Sequence, residues 1–235
     1  MTETQTQAES TLIEQLFTRG AHLGYSRARR NASAKAFLYG SKSGIDIIDL
    51  EKTTEQLARA QAFLSELGAN GKTVLWVGTK SEVRGFVEAA AKSLGHPYVA
   101  ERWVGGMMTN WSEIKKRTGR LKELKEKFAK GELEKYTKKE RLLFEREMAT
   151  LEREFGGIAS LEGLPAALVV VDSRREHIAI EEATKMKVPT IALLNTDCDA
   201  RMVTYPVVAN DSALASVSFI VEQFAEAYKR APKAA

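Results

Sequence analysis

Glu101-Arg-Trp-Val-Gly-Gly-Met-Met-Thr-Asn-Trp111 ends an alternation of strand-like and helix-like segments and opens a long charged stretch with heptad spacing. A Trp-x-Gly-Gly turn at such a junction predicts a two-helix arm leaving an α/β body. Beyond it, Trp111, Ile114, Leu121, Leu124 and Phe128 recur at spacings of seven and of three to four residues, until Gly131 interrupts. Thr137 and Glu140 have the spacing of a capping box, and Phe144, Met148, Leu151 and Phe155 carry the stripe on to Gly156-Gly157. Helices of similar length joined by a short turn are expected to lie antiparallel, as a coiled-coil hairpin. Gly105 and Gly106 suit a positive φ or a close backbone approach where strand gives way to arm. Trp103 is suited equally to the core and to stacking on a base.

On either side of the arm the pattern is α/β. Leu12, Ile13, Leu16 and Phe17 mark a short amphipathic helix ending near Gly20, and a loop leads to a strand over Gly44–Leu50. A helix covers Thr54 to Leu67. Thr73–Gly78 reads as a buried strand, and Thr79 with Glu82 as a capping box for a helix reaching Leu94. Tyr98–Ala100, Ala166–Val171, Thr190–Leu194 and Val207–Val208 are further strands, with helices over about 176–186 and 211–229. Residues 1 to about 9 and 230–235 read as frayed tails. Strands alternating with helices predict a mostly parallel sheet covered on both faces. The chain is expected to be a single α/β domain over 1–235, with its core at about 10–109 and 158–229 and the arm inserted at 110–157.

The chain has 235 residues, 44% hydrophobic and 28% charged, an ordinary globular composition that supports a real core. One cysteine, Cys198, rules out an internal disulfide framework and suits a reducing cytoplasm. No apolar run approaches the ~20 residues that span a bilayer, and the polar first ten residues are unlike a secretory signal. A soluble cytoplasmic protein without a membrane partner is expected.

A net charge of +4 permits a nucleic-acid partner, and its distribution says more. Gln15 to Ile45 holds six basic residues (Arg19, Arg27, Arg29, Arg30, Lys35, Lys42) and no acid. Arg side chains on Gly/Ala/Ser-rich backbone near Tyr25, Phe37 and Tyr39 suit RNA phosphates and bases, against the plainer reading of a solvated loop. The first arm helix, Trp111 to Lys130, has eight basic residues against three acidic ones, whereas Gly131 to Phe155 has six against seven. The first is therefore expected to face RNA and the second protein. The candidate RNA-binding residues are Arg27, Arg29, Arg30, Lys35 and Lys42, then Lys80, Arg84, Arg102, Asn110, Lys115 and Lys116 around the mouth of the arm.

Catalytic readings are weaker. Val77-Gly-Thr-Lys-Ser81 lacks the glycine spacing of a phosphate-binding loop, and there is no G-x-G-x-x-G or G-x-S-x-G. Asp172, Asp197 and Asp199 follow strand ends, where acids hold Mg²⁺ in some α/β proteins but more often cap turns. His22, His96 and His177 have no paired-ligand spacing. No cofactor and no small-molecule substrate are expected, and whether a structural metal ion is bound stays open. An Mg²⁺-dependent enzyme and a coiled-coil interaction module are the alternatives to an RNA-binding protein.

Five ordered motifs together resemble the bacterial-type small-subunit ribosomal protein S-two family. They are Gly20-Ala-His-Leu-Gly24, Gly44-Ile-Asp-Ile-Ile-Asp-Leu-Glu-Lys-Thr53, Val77-Gly-Thr-Lys80, Arg102-Trp-Val-Gly-Gly-Met-Met-Thr-Asn110, and a last group. That group runs from Val171-Asp172 through Glu176, Glu182-Ala183 and Pro189 to Asn195-Thr-Asp-Cys-Asp199 and Tyr205-Pro-Val-Val-Ala-Asn-Asp211. The resemblance implies a flavodoxin-like three-layer α/β/α fold with a protruding helical hairpin. It also implies a non-enzymatic role on the small subunit between head and body, binding rRNA and helping to anchor the mRNA-capturing protein S-one. The chain departs from the family pattern at Tyr25, where a second His is usual, and at Arg30-Asn-Ala-Ser-Ala34, where Trp-Asn-Pro-Lys-Met is usual. Asn195-Thr-Asp197 stands for Asp-Thr-Asn, and Ala200 for a proline.

Overall fold

Val74-Leu-Trp-Val77 is apolar on both of its faces, and such a strand is stable only when both are covered. The computed structural model describes residues 3–230, with side chains described from Ser10 onward, and shows how the covering is done. In chain order the strands are β1 (Leu23–Ser26), β2 (Leu38–Lys42), β3 (Ile45–Ile48), β4 (Val74–Val77), β5 (Tyr98–Val99), β6 (Ala167–Val171), β7 (Thr190–Leu194) and β8 (Tyr205–Val208). The helices are α1 (Glu3–Thr18), α2 (Leu50–Ala69), α3 (Arg84–Leu94), α4 (Trp111–Ala129), α5 (Lys138–Phe155), α6 (His177–Lys185) and α7 (Leu214–Lys229).

Strands β5-β4-β6-β7-β8 form an all-parallel sheet in that order. Numbered among themselves they run 2-1-3-4-5, the order of flavodoxin-like doubly wound sheets. Alternate residues feed two cores. Val74, Trp76, Val169, Val171, Ile191 and Leu193 pack against Leu16 of α1, Leu57 and Leu64 of α2, Val87 of α3 and Phe224 of α7. Leu75, Val77, Leu168, Val170, Ala192 and Leu194 belong to the other core, with Ala179 and Ile180 of α6 and Phe155 of α5. Each fully buried Leu, Val or Ile in these layers contributes roughly 1.5–3 kcal/mol of transfer free energy. The three-layer α/β/α arrangement follows.

Several local expectations change. The segment before β3 is not a plain loop: β1 and β2 flank β3 in a small antiparallel sheet. Ser43 (φ 53°) and Gly44 (φ 80°) make the two-residue turn between β2 and β3, and positive φ at both positions matches the twist of a hairpin. Helix α1 begins at Glu3, so the polar residues 3–9 are helical rather than frayed; once Leu16 docks, each further residue adds a hydrogen bond at little cost. Residues 1–2 and 231–235 lie outside the described residues. Thr79 and Glu82 form no capping box. Thr79 bonds Glu176 instead, and α3 starts only at Arg84, after a turn closed by Val83 N and Arg84 N on the Lys80 carbonyl.

In the charged segment, the Thr137–Glu140 capping box is present at the start of α5. Ile114, Leu121, Leu124, Leu151 and Phe155 are buried and continuous with the second core, but Phe128 is 52% exposed. Arg120 pairs with Glu147 and Lys125 with Glu152, both at a spacing of 27 residues. An antiparallel ladder would conserve the sum of the residue numbers, not their difference. Arg120–Glu147 is centred on the α4–α5 connection, as such a ladder requires, whereas Lys125–Glu152 is displaced from it.

Gly157 joins the end of this segment to the sheet. A Cβ there would overlap the Tyr98 carbonyl oxygen and lie 3.0 Å from the Tyr98 ring. Gly157→Ala is expected to cost about 1–3 kcal/mol, read as a lower urea midpoint. An unchanged midpoint would show that β5 yields without strain.

Candidate nucleic-acid interface

The Trp-x-Gly-Gly turn is organised by one carboxylate from α6, which packs in the same core layer. Glu182, buried on α6, accepts from Trp103 Nε1 (3.2 Å) and Gly106 N (2.7 Å) on Oε1. Its Oε2 accepts from Met108 N (2.9 Å), Thr109 N (3.1 Å) and Thr109 Oγ1 (3.1 Å). Burial alone would push this carboxyl up, but the N–H bonds from Met108, Gly106 and Thr109 and the indole hold it below its ordinary value. For three amides to converge, the backbone must turn at Gly106, whose φ is 92°, and a Cβ there would press on Asn110. Gly105 has open space around it. Trp103 is thereby placed in the core, not on a base-stacking surface. The role of Glu182 was not legible in the sequence, because its partners lie more than 70 residues away.

The basic loop is clamped onto the end of β7. A side chain at Gly24 would collide with Thr196 Cγ2 at 2.6 Å, so β1 sits directly on Thr196. Tyr25 N donates to Thr196 Oγ1 (3.0 Å) and Asn31 N to the Thr196 carbonyl (2.8 Å). Arg30, expected among the RNA contacts, is instead turned inward. Its Nε donates to Asp46 Oδ2 (2.7 Å), and its Nη2 bonds Asp46 Oδ1 and Ser41 Oγ. Asp46 is fully buried, and the Arg30 hydrogen bond holds its carboxyl below the ordinary range. The stretch read as free of acid thus meets its acid one residue beyond its end. Arg27, Arg29, Lys35 and Lys42 are exposed, and among the described residues they form no ion pair. Arg29 lies over the Tyr25 ring at 5.7 Å, and Tyr39 is 84% exposed.

Between β4 and β6 the strand order reverses, and doubly wound proteins usually bind ligands in the crevice outside that point. Here the chain fills it with its own side chains. Thr79 N donates to Glu176 Oε1 (2.9 Å), and Arg175 Nε to Thr79 Oγ1 (3.1 Å). Lys80, another expected RNA contact, lies 3.9 Å from carboxylate oxygens of both Asp172 and Asp211 and donates to Ser212 Oγ (3.0 Å). Burial, and then the Asp172 charge, push the Asp211 carboxyl up to about 6. Burial pushes the Cys198 thiol up to about 12, so it is no nucleophile at neutral pH.

The acids considered for Mg²⁺ are not gathered into one site. Asp197 pairs with Arg174 (2.9 Å), while Asp199 pairs with Arg201 (2.7 Å) and caps the turn at Arg201 N. Asp172 caps the turn at Arg175 N (3.1 Å). Among the described residues, Asp172, Cys198 and Asp211 are the one group whose ligand atoms fall within 4.8 Å of each other, and Lys80 already balances its two carboxylates. His22 stacks on Phe17 (centroids 4.3 Å apart) and is not part of that group.

Around the mouth of the arm, Arg102 and Lys115 are exposed. Arg84 pairs with Glu101 (3.0 Å), Lys116 with Glu113 (2.6 Å), and Asn110 accepts from Ser112 Oγ (3.3 Å). Much of the charge on α4 is likewise paired: Arg120 with Glu123 and Glu147, Lys125 with Glu152, Lys127 with Glu123. Arg117, Lys122 and Lys130 are exposed without an ion pair among the described residues, which the charge count of the helix could not single out.

The family model described as ribosomal protein S2 matches residues 16–231. The chain is 44% identical to the small ribosomal subunit protein uS2 of Nocardia farcinica, over 92% of this chain and 75% of that protein. It is 43% identical to the protein of the same name from Thermobifida fusca, over 92% of this chain and 74% of that protein. For that of Picosynechococcus the identity is 40%, over 92% of this chain and 84% of the relative.

Glu182→Gln presents an NH₂ where amide donors converge and removes the charge. It is expected to lose about 3 kcal/mol at neutral pH, from the loss of hydrogen bonds to a charged group. Because the folded carboxyl titrates below its ordinary value, its stabilisation is complete above about pH 4.3 and fades as pH falls through the folded value. Urea titrations of both proteins should therefore diverge at pH 7 and converge towards pH 3. A constant gap would rule out the charge as the cause.

Proposed function

The chain belongs to the ribosomal protein S2 family, structural proteins of the small ribosomal subunit and not enzymes, and we propose that it binds rRNA through the clamped segment Tyr25–Lys42. The observation that carries this reading is the set of exposed cations Arg27, Arg29, Lys35 and Lys42 beside Tyr25 and Tyr39. Arg supplies a planar fork for phosphate, and the exposed ring of Tyr39 can accept a base. Affinity comes mainly from phosphate contacts, steep in salt and weak in sequence readout.

Arg102 and Lys115 extend this surface towards the arm, with Asn110, Lys116 and Arg84 as polar neighbours. Arg30 and Lys80 support the surface from within, through Asp46 and through Asp172 with Asp211. In this reading the chain is one α/β domain carrying an inserted arm at 110–157, set on the cytoplasmic ribosome between head and body. It helps to anchor the mRNA-capturing protein S-one, a role that rests on the family likeness. No helix among the described residues is long and apolar enough to cross a membrane.

A tagged copy should sediment with the small subunit on a sucrose gradient; its absence from that peak would sink the reading. Replacing Arg27 or Arg29 by Ala should weaken binding to purified small-subunit rRNA and lower the log–log salt slope by about 0.9 for each phosphate no longer neutralised. Arg30→Ala should act differently, lowering the unfolding temperature because Asp46 is left buried without its partner. If Arg30→Ala left folding intact and changed the salt slope as the other two do, the division between outer and inner arginines would be wrong.

A further inference from the structure

Tyr25 is held at both ends. Its amide donates to Thr196 Oγ1 (3.0 Å), on a β1 strand pressed against Thr196 at Gly24. Its hydroxyl lies 2.7 Å from Ser212 Oγ. Ser212 Oγ lies 3.1 Å from Asp211 Oδ1 and accepts from Lys80 Nζ (3.0 Å). Either hydroxyl of the Tyr25–Ser212 pair can be the donor. That bond ties the ring tip to the Lys80–Asp172–Asp211 ion cluster that fills the crevice between β4 and β6. Between the two anchors the ring faces Arg29, whose Cζ lies 5.7 Å from its centroid. Arg29 is exposed in a 3-10 turn, and among the described residues no carboxylate pairs with it.

A guanidinium resting on an aromatic face uses its π surface and leaves its in-plane N–H fork for another ligand. We propose that Tyr25 is a positioning residue that pre-orients the Arg29 guanidinium for a nucleic-acid phosphate. The inference rests on the rRNA-binding reading and adds a specific task for the uncharged residue beneath Arg29. Holding the long Arg side chain in place before binding removes rotamer entropy that the complex would otherwise lose. The crevice of the sheet then serves as the foundation of an arginine on the surface, not as a ligand site.

The test is a double-substitution cycle on the full chain, with purified small-subunit rRNA as the probe and affinity measured over a range of salt. Arg29→Ala should reduce affinity and lower the log–log salt slope. Tyr25→Ala should also reduce affinity, about twofold to fivefold, and lower the slope although it removes no charge. The double variant should be no worse than Arg29→Ala alone. Tyr25→Phe keeps the ring face and should retain most of the affinity.

Losses that multiply in the double variant, or a Tyr25→Ala slope equal to that of the unsubstituted chain, would overturn the role of Tyr25 while leaving the binding role of Arg29 standing. A Tyr25→Phe defect as large as that of Tyr25→Ala would also overturn it, since the ring face would not be the support. If Arg29→Ala itself changed neither affinity nor slope, the rRNA-binding reading of Arg29 would fail first. Partial misfolding of Tyr25→Ala would lower the active fraction at every salt concentration alike, so the slope separates it from a failure of positioning.

Discussion

A carboxylate that is buried must be satisfied, and the structure around the arm depends on how Glu182 meets that requirement. Five donors from Trp103, Gly106, Met108 and Thr109 close on its two oxygens. Such charge-assisted bonds are short and directional, and they fix the backbone that carries them. Helix α6 is thereby tied to the turn that launches α4. The glycine at 106 is required because the amides can converge only if φ is positive there. The charged segment is aimed by this interaction at its base, while Phe155, Leu151 and Ile114 extend the core underneath.

A second constraint shapes the edge where a doubly wound sheet ordinarily receives a ligand. Thr79, Lys80, Asp172, Glu176 and Asp211 occupy that crevice with each other. Unpaired, the buried acids there would be costly; paired, they form a base against which Tyr25 and Ser212 brace the antiparallel sheet. The surface proposed for binding lies outward, on the segment built on top of the strand ends. The place where this architecture usually receives a ligand is thus taken up by the protein's own side chains.

Legibility in the sequence divided along the range of the interactions. Four of the five parallel strands lie at nearly the bounds that the sequence predicts, because strands buried on both faces are short apolar runs, whereas β8 is predicted only at Val207–Val208, its buried half. The Thr137–Glu140 box was read from a three-residue spacing and is present. Thr79 and Glu82 have the same spacing and form none, since Glu176 competes for Thr79 across the sheet edge. The hairpin β2–β3 left a signal in Ser43-Gly44 between two alternating runs, but the basic character of the segment drew attention to loop chemistry instead. Heptad spacing located α4 and α5, and Arg120–Glu147 and Lys125–Glu152 link the two helices.

By itself the sequence determined the alternation of strands and helices, the two basic regions and the family, all of which are written in local pattern and ordered motifs. It could not distinguish Arg30 from Arg27 and Arg29, three arginines within four residues of the same loop. Tertiary structure decided that Arg30 faces the buried Asp46, that Lys80 lies between Asp172 and Asp211, and that Arg27 and Arg29 stay at the surface. The physical reason is that the availability of a charge depends on which opposite charge the fold brings within about 4 Å, and those partners come from distant strand ends that local spacing does not encode.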